Sequence, residues 1–348
     1  MMSLKNDPLL ETALAGIAAR ANALDQSGGW VMEDLQALAA AGAMRWAIPA
    51  SHGGDDLNGD TLQTHYESIA SASLATGLAF SQRDAAVGFI EAAENTTLRD
   101  DLLPKLARNE VWTTIGISHL TTSTQPGALA ATIGPDGGIE LNGNIPWSTG
   151  AAFADFLVAA ARVPGGEPVV FVLPTDYPGV TVGDPLPLAA LTAAHTSAVH
   201  CESVRLGPDL LLTGPAADAM GGRSRSVRVS QAFAALGLAT AALRLIDAID
   251  HPSARTTLET LQKQLVELRH SVHEANHHFD PHDLQTVPMI RSELNSLALR
   301  STHAAVTLHK GAALRVDHPA QRLAREALFL LVWSSPMSVV DRNLELLS

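Results

Sequence analysis

The most overt chemical pattern in the chain is His273-Glu274-Ala275-Asn276-His277, an H-E-x-x-H string. On a helix, histidines four apart share a face and can hold one zinc ion, with the glutamate as general base for a metal-bound water. His270, His278 and His282 crowd the same stretch, and Asn276 adds polarity around the turn. Polar groups on every side describe a solvated helix end, and no third ligand follows at metalloprotease spacing, so the sequence predicts no functional metal site. The string contains no G-x-G-x-x-G after a strand, no G-x-x-x-x-G-K-[ST] and no G-x-S-x-G, which removes the Rossmann fingerprint, the P-loop and the hydrolase elbow. The single cysteine, Cys201, cannot close an internal disulfide and reads as a small buried hydrophobe.

The elements that must position any site follow from periodicity. Between Pro8 and about Ala107 apolar residues recur at three-to-four spacing in runs over 9–24, 30–43, 62–93 and 98–108, interrupted by the breaker-rich A-I-P-A-S-H-G-G-D-D-L. From about Val111 to Thr213 the text changes to short β-like runs over 112–118, 138–143, 153–163, 167–174, 179–182 and 197–206. Turn clusters P-D-G-G, N-G-N and P-G-G-E-P separate them, and Asn142-Gly143 reads as a hairpin turn. Helical spacing returns over 226–249, 256–278, 288–310, 319–333 and 338–347. The expected class is α+β, mostly α: an N-terminal helical domain over 1–110, a small middle β domain over 111–214, and a C-terminal bundle of four to five helices over 215–348.

Composition narrows the function classes. The 348 residues hold 23 Lys plus Arg against 36 Asp plus Glu, a formal net charge of −13, which argues against a nucleic-acid backbone as partner. No stretch reaches the roughly 18 uninterrupted apolar residues of a membrane span, and the first residues lack the apolar run of a leader, so a cytoplasmic protein without membrane contact is expected.

Four short motifs then fall in a recognisable order. They are Ile48-Pro49 followed by Gly53-Gly54; Leu103-Pro104-Lys105-Leu106; Leu141-Asn142-Gly143 with Trp147-Ser148-Thr149-Gly150; and Gly311, Pro319 and Arg322-Leu323-Ala324-Arg325-Glu326-Ala327. In this order, on a helix, strand, helix layout, the chain resembles the acyl-CoA dehydrogenase family of FAD flavoproteins, a superfamily that includes related flavin monooxygenases, over nearly its whole length. The resemblance implies an FAD, with FMN as the alternative, against Trp147 as an aromatic wall and Thr149 as a polar contact, with Ser118 and Ser148 beside them.

The departures from the family pattern bear on chemistry. The glutamate that takes the α-proton of an acyl-CoA in such enzymes falls at Ser334 by count from Arg325, and the other glutamate position falls at Val227, beside Arg228. Neither side chain is a base at neutral pH. Weak substitutes are His119, next to the expected flavin strand, and Asp317-His318. Only Ser118 keeps a hydroxyl where the family has threonine-glutamate-proline, and Arg255 is a poor counterpart of its pyrophosphate arginine.

The reading is therefore an enzyme, a flavin-dependent oxidoreductase acting on an acyl thioester or related small molecule with the usual glutamate missing. A reduced-flavin monooxygenase on the same scaffold needs no such base, and a non-catalytic paralogue serving as an interaction module is the third reading. A homodimer or homotetramer through the bundle is expected, because F-L-L-V-W and L-G-L-A-T-A-A-L-R-L-I carry more apolar surface than a lone bundle hides.

Overall fold

The computed structural model describes residues 7–121, 127–221, 231–278 and 283–348. The first helix, α1 (Pro8–Ser27), starts where Asp7 accepts hydrogen bonds from the amides of Leu9 and Leu10 and ends at Gly28 in the left-handed region. It is followed by α2 (Met32–Ala40), α3 (Gly59–Ala72), α4 (Leu74–Glu91) and α5 (Thr96–Ala107). The periodic run over 62–93 is thus two helices. Ser73 is extended, and its hydroxyl accepts from the amide of Thr76 at 3.3 Å, so it ends α3 and caps α4. Periodicity alone misses such a corner because both helices are apolar up to their shared cap.

In the loop after α2, Gly54 is required by contact: a Cβ there would lie 1.8 Å from the carbonyl oxygen of Ile48. That close approach lets the amides of Gly54 and Asp56 bond the carbonyls of Pro49 and Ile48, and it explains the paired glycines of the first motif.

The middle of the chain forms one eight-stranded sheet. Its strands are β1 (Thr113–Gly116), β2 (Ala130–Ile133), β3 (Ile139–Thr149), β4 (Phe156–Arg162), β5 (Pro168–Pro174), β6 (Val180–Pro185), β7 (Thr196–Leu206) and β8 (Leu211–Thr213), with a one-turn helix α6 (Ser118–Thr121) after β1. The order is β6-β7-β3-β2-β4-β5-β8, with β1 added parallel to β4. Strands β4 and β5 are buried on both faces, and period-two alternation sorts their side chains. Phe156, Val158 and Ala160 meet α4 and α5, while Leu157, Ala159 and Ala161 join β3 and β7 in a second core.

Asn142-Gly143 is not a turn. It lies inside β3 as a bulge, where the register with β7 shifts between Leu141 and Gly143. Gly143 has φ 119°, and a Cβ would sit 2.6 Å from the carbonyl oxygen of Ala128. The Asn142 carboxamide oxygen accepts the amide of Ser203 at 2.8 Å, so the dipeptide that resembles a hairpin signal bends a long strand instead.

The last part contains α7 (Ala232–Asp247), α8 (Pro252–His277), α9 (Thr286–His309), α10 (Pro319–Leu330) and α11 (Met337–Leu347). Helix α7 is central: its apolar positions from Ala232 to Ile246 are buried within the chain, except for the half-buried Ala241 and Leu245, in one core shared with α1 to α4 and α8 to α10. The apolar surface expected on α7 is therefore already covered. Val332 of the F-L-L-V-W run remains exposed, as does Leu328 just before it. Among the described residues no helix is long and apolar enough to cross a membrane.

Candidate functional site

A cavity of about 1090 Å³ opens where the helices meet the end of β3. It exceeds the roughly 300–1,000 Å³ of an ordinary small-ligand pocket, leaving room for a cofactor ring and a substrate together. Helix α3 contributes Leu62 and Tyr66, α4 contributes Asp84 and Phe89, and α10 with the turn after it contributes Phe329, Trp333 and Ser334.

Four of the residues singled out in the sequence come together on this wall: Trp147, Thr149, Ser118 and Ser334. Trp147 and Thr149 are two apart on β3, so strand alternation sends both to the cavity. Trp147 is 40% exposed, an unusual state for a large aromatic on a sheet. The carbonyl of Thr149 accepts the Thr114 hydroxyl at 2.7 Å, its own hydroxyl lies 3.4 Å from that of Thr196, and Ser118 donates to the carbonyl of Trp147 at 3.4 Å. Ser148, between them, is fully buried and does not line the cavity. The same alternation turns it to the opposite face, so it is not placed to touch a ligand held there.

Neither histidine considered as a base reaches the cavity. His119 donates through Nε2 to the carbonyl of Ala160 at 2.9 Å, and burial pushes its pKa down. His318 caps α10, accepting the amide of Ala320 at 3.2 Å, and its ring lies 4.6 Å from that of His309. Arg255 lies at the exposed start of α8, 3.8 Å from Asp250. Val227 and Arg228 fall outside the described residues. Ser334 does line the wall, held there because buried Arg291 donates to its carbonyl at 3.0 Å and to that of Trp333 at 3.1 Å.

Two charged groups complete the site, Asp84, which carries no motif, and Arg325, which belongs to the arginine-rich one. Asp84 and Arg325 are the charged side chains lining the cavity among the described residues. Asp84 accepts the Tyr66 hydroxyl at 2.7 Å and Arg83 Nη1 at 2.5 Å, and Arg83, 1% exposed, also donates to the carbonyls of Met44 and Leu106. Burial raises the Asp84 pKa and Arg83 opposes it; burial, reinforced by the Asp84 charge, raises Tyr66 well above its ordinary value. The signal available in the sequence was an Arg-Asp pair set inside an apolar helix, which folding tolerates only when the charges are paired. Arg325 donates to the carbonyl of Ala189 at 2.8 Å and pairs with Asp25, while Arg322 pairs with Glu326 at 2.9 Å and bonds Asn22. The arginine-rich motif thus ties α10 to α1 and places one guanidinium at the cavity.

An apolar and aromatic cleft with a tryptophan and a threonine hydroxyl on one strand end has the donors and the flat surface that a flavin ring needs. The whole chain superposes on butyryl-CoA dehydrogenase from Megasphaera elsdenii with a TM-score of 0.82, at 18% identity and with 100% of both chains covered. The chain has the acyl-CoA dehydrogenase fold. FMN-bound TdsC, a protein of Paenibacillus sp. A11-2, has the same fold, with a TM-score of 0.82 at 16% identity over 97% of this chain and 95% of that one. In sequence the chain is 25% identical over 217 residues to a dibenzothiophene monooxygenase of Rhodococcus qingshengii, covering 60% of this chain and 52% of that protein. It spans about half the length of the curated relatives of this kind. No family model matches the chain. In the acyl-CoA dehydrogenase fold seen here, the cavity lies at the junction of all three groups of elements.

Proposed function

We propose that this chain is a flavin-dependent oxidoreductase acting on a small, mostly apolar molecule. FAD is the cofactor implied by the motifs, and FMN is the alternative. Trp147 would form the wall against the flavin ring, with the Thr149 hydroxyl as its polar contact and Ser118 holding the strand end in position. Bound there, the flavin supplies two-electron redox chemistry, or oxygen activation once reduced. Phe233, Phe329 and Trp333, which pack on one another in the same lining, would orient an apolar substrate and exclude water.

The observation that carries the choice of chemistry is the absence of a free carboxylate among the described residues of the wall. By count from Arg325, Ser334 falls where the resemblance puts the base of such a dehydrogenase, and Asp84 is already held by Arg83 and Tyr66. This favours oxygen transfer to the substrate over removal of an α-proton, because the first needs no carboxylate base. Dehydrogenation of an acyl thioester is the second reading, supported by the raised pKa of Asp84, a carboxyl at the cavity that could exchange a proton with substrate. A homodimer or homotetramer, with contacts through the exposed part of α10 and α11, belongs to either.

The deciding experiment begins with purified protein and its absorbance at about 450 nm. Loss of that band under nitrogen on adding an acyl-CoA panel supports dehydrogenation. Oxygen uptake by the reduced protein that is coupled to oxygenation of an apolar heteroaromatic, with no bleaching by acyl-CoA, supports the monooxygenase. Protein that neither copurifies with nor takes up flavin overturns both and leaves the interaction module.

A further inference from the structure

Away from the cavity, Asp60 in the first turn of α3 meets the two histidines of the H-E-x-x-H string near the end of α8. His273 Nδ1 lies 3.0 Å and His277 Nε2 lies 2.6 Å from the same oxygen, Asp60 Oδ2. The imidazole rings are 4.4 Å apart, and the three ligand atoms all lie within 4.8 Å of one another. We propose that Asp60, His273 and His277 form a binding site for one borderline divalent cation of the zinc class, which clips α3 to α8.

The argument is one of donor type and convergence. Two histidines four apart on a helix present nitrogens on one face, and a carboxylate from a second helix supplies the third ligand that the sequence around the histidines lacks. His277 Nε2 hydrogen-bonds Asp60 Oδ2 and His273 Nδ1 lies 3.0 Å from the same oxygen, so an ion that displaces the shared proton finds all three donors around one region of space. Zinc bonds of about 2.0–2.2 Å place tetrahedral ligands roughly 3.3 Å apart, so the ion is admitted once the contacts of 3.0 and 2.6 Å open by about 0.3 and 0.7 Å. His273 and His277 are half exposed, which gives the cation a path in and leaves its remaining positions to water.

The hydrolytic reading of the string does not follow. Glu274 lies 3.6 Å from His278, in an i,i+4 pair separate from the Asp60 contact. The consequence is structural. Two turns along α3, Glu67 binds Arg269 of α8 through two hydrogen bonds of 2.5 and 3.1 Å, so the same pair of helices is already joined by a polar seam that a cation would extend. Helix α3 carries Leu62 and Tyr66 of the cavity wall, so a clip at Asp60 also steadies that wall.

The test is zinc titration of the full chain by calorimetry and thermal unfolding, with His277→Ala, His273→Ala and Asp60→Asn as variants and His278→Ala and Glu274→Gln as controls. One zinc per chain is expected, with a rise in Tm of about 3–5 °C at zinc 100-fold above Kd. Each ligand variant should weaken binding at least about tenfold, and the controls should leave it unchanged. The variants change exposed histidines and a half-buried aspartate, and their circular dichroism in metal-free buffer should match the parent. No saturable binding, or parent affinity in Asp60→Asn or His277→Ala, overturns the proposal and identifies the contacts as ordinary surface ion pairs. None of these readouts depends on flavin.

Discussion

Trp147 and Ser148 are adjacent in sequence and opposite in consequence. Trp147 faces the cavity, so Trp147→Ala should weaken flavin retention about tenfold or more, measured by equilibrium dialysis, whereas Ser148→Ala should leave it unchanged. Equal loss in both variants would mean that the ring does not lie against this strand face. Asp84 poses a different question, because its partner Arg83 is buried and cannot be re-solvated in place. Asp84→Asn leaves that guanidinium without a counter-charge and should cost about 3–5 kcal/mol in urea unfolding, more than a surface carboxylate change would. Ser334→Glu should confer bleaching by a saturated acyl-CoA only if the cavity accepts a thioester, which separates loss of the base from loss of the substrate.

At the scale of elements, the corner between α2 and α3 holds a buried histidine. His65 stacks on Trp46 with ring centroids 4.0 Å apart, and burial lowers its pKa from 6.5 to about 4. The folded state therefore binds this proton less readily than the unfolded chain does, so the contribution of a neutral His65 is complete above pH 6.5 and is lost as pH falls toward 4. Stability should drop by about 2 kcal/mol across that window, and His65→Phe should flatten the dependence in urea melts at a series of pH values. In the sheet, Gly143→Ala drives a methyl into the carbonyl of Ala128 and forces the strained φ on alanine. It should cost about 1–3 kcal/mol and loosen the β2–β3 pairing seen by hydrogen exchange.

For the whole molecule, the exposed apolar residues cluster late in the chain. Leu314, Val316, Leu328, Val332 and Met337 are each between 49% and 76% exposed, and Leu328 and Val332 also border the cavity. A second copy laid over this region would bury them and narrow the cavity mouth at once, so light scattering at micromolar concentration should give at least twice the chain mass. A monomeric mass would remove the bundle contact from the account. Val332→Asp should shift a dimer toward monomer without unfolding the chain, since this side chain is largely outside the core.

The order of helix, strand and helix was legible because burial imposes periods of 3.6 and 2 on the text itself, and the motifs around Gly54, Trp147 and Arg322 sit in that order wherever such a chain folds. Local sequence also determined that Ser334 is no base. Tertiary structure alone decided what faces what. Gly143 bends a strand rather than turning a hairpin because of the approach of Ala128, and Asp84 meets Tyr66, 18 residues earlier, only when α3 packs beside α4. Asp60 stands beside histidines 213 and 217 residues away. Periodicity records which face of an element is buried, but carries no information on which other element covers it, and a site assembled from three elements is set by that second fact.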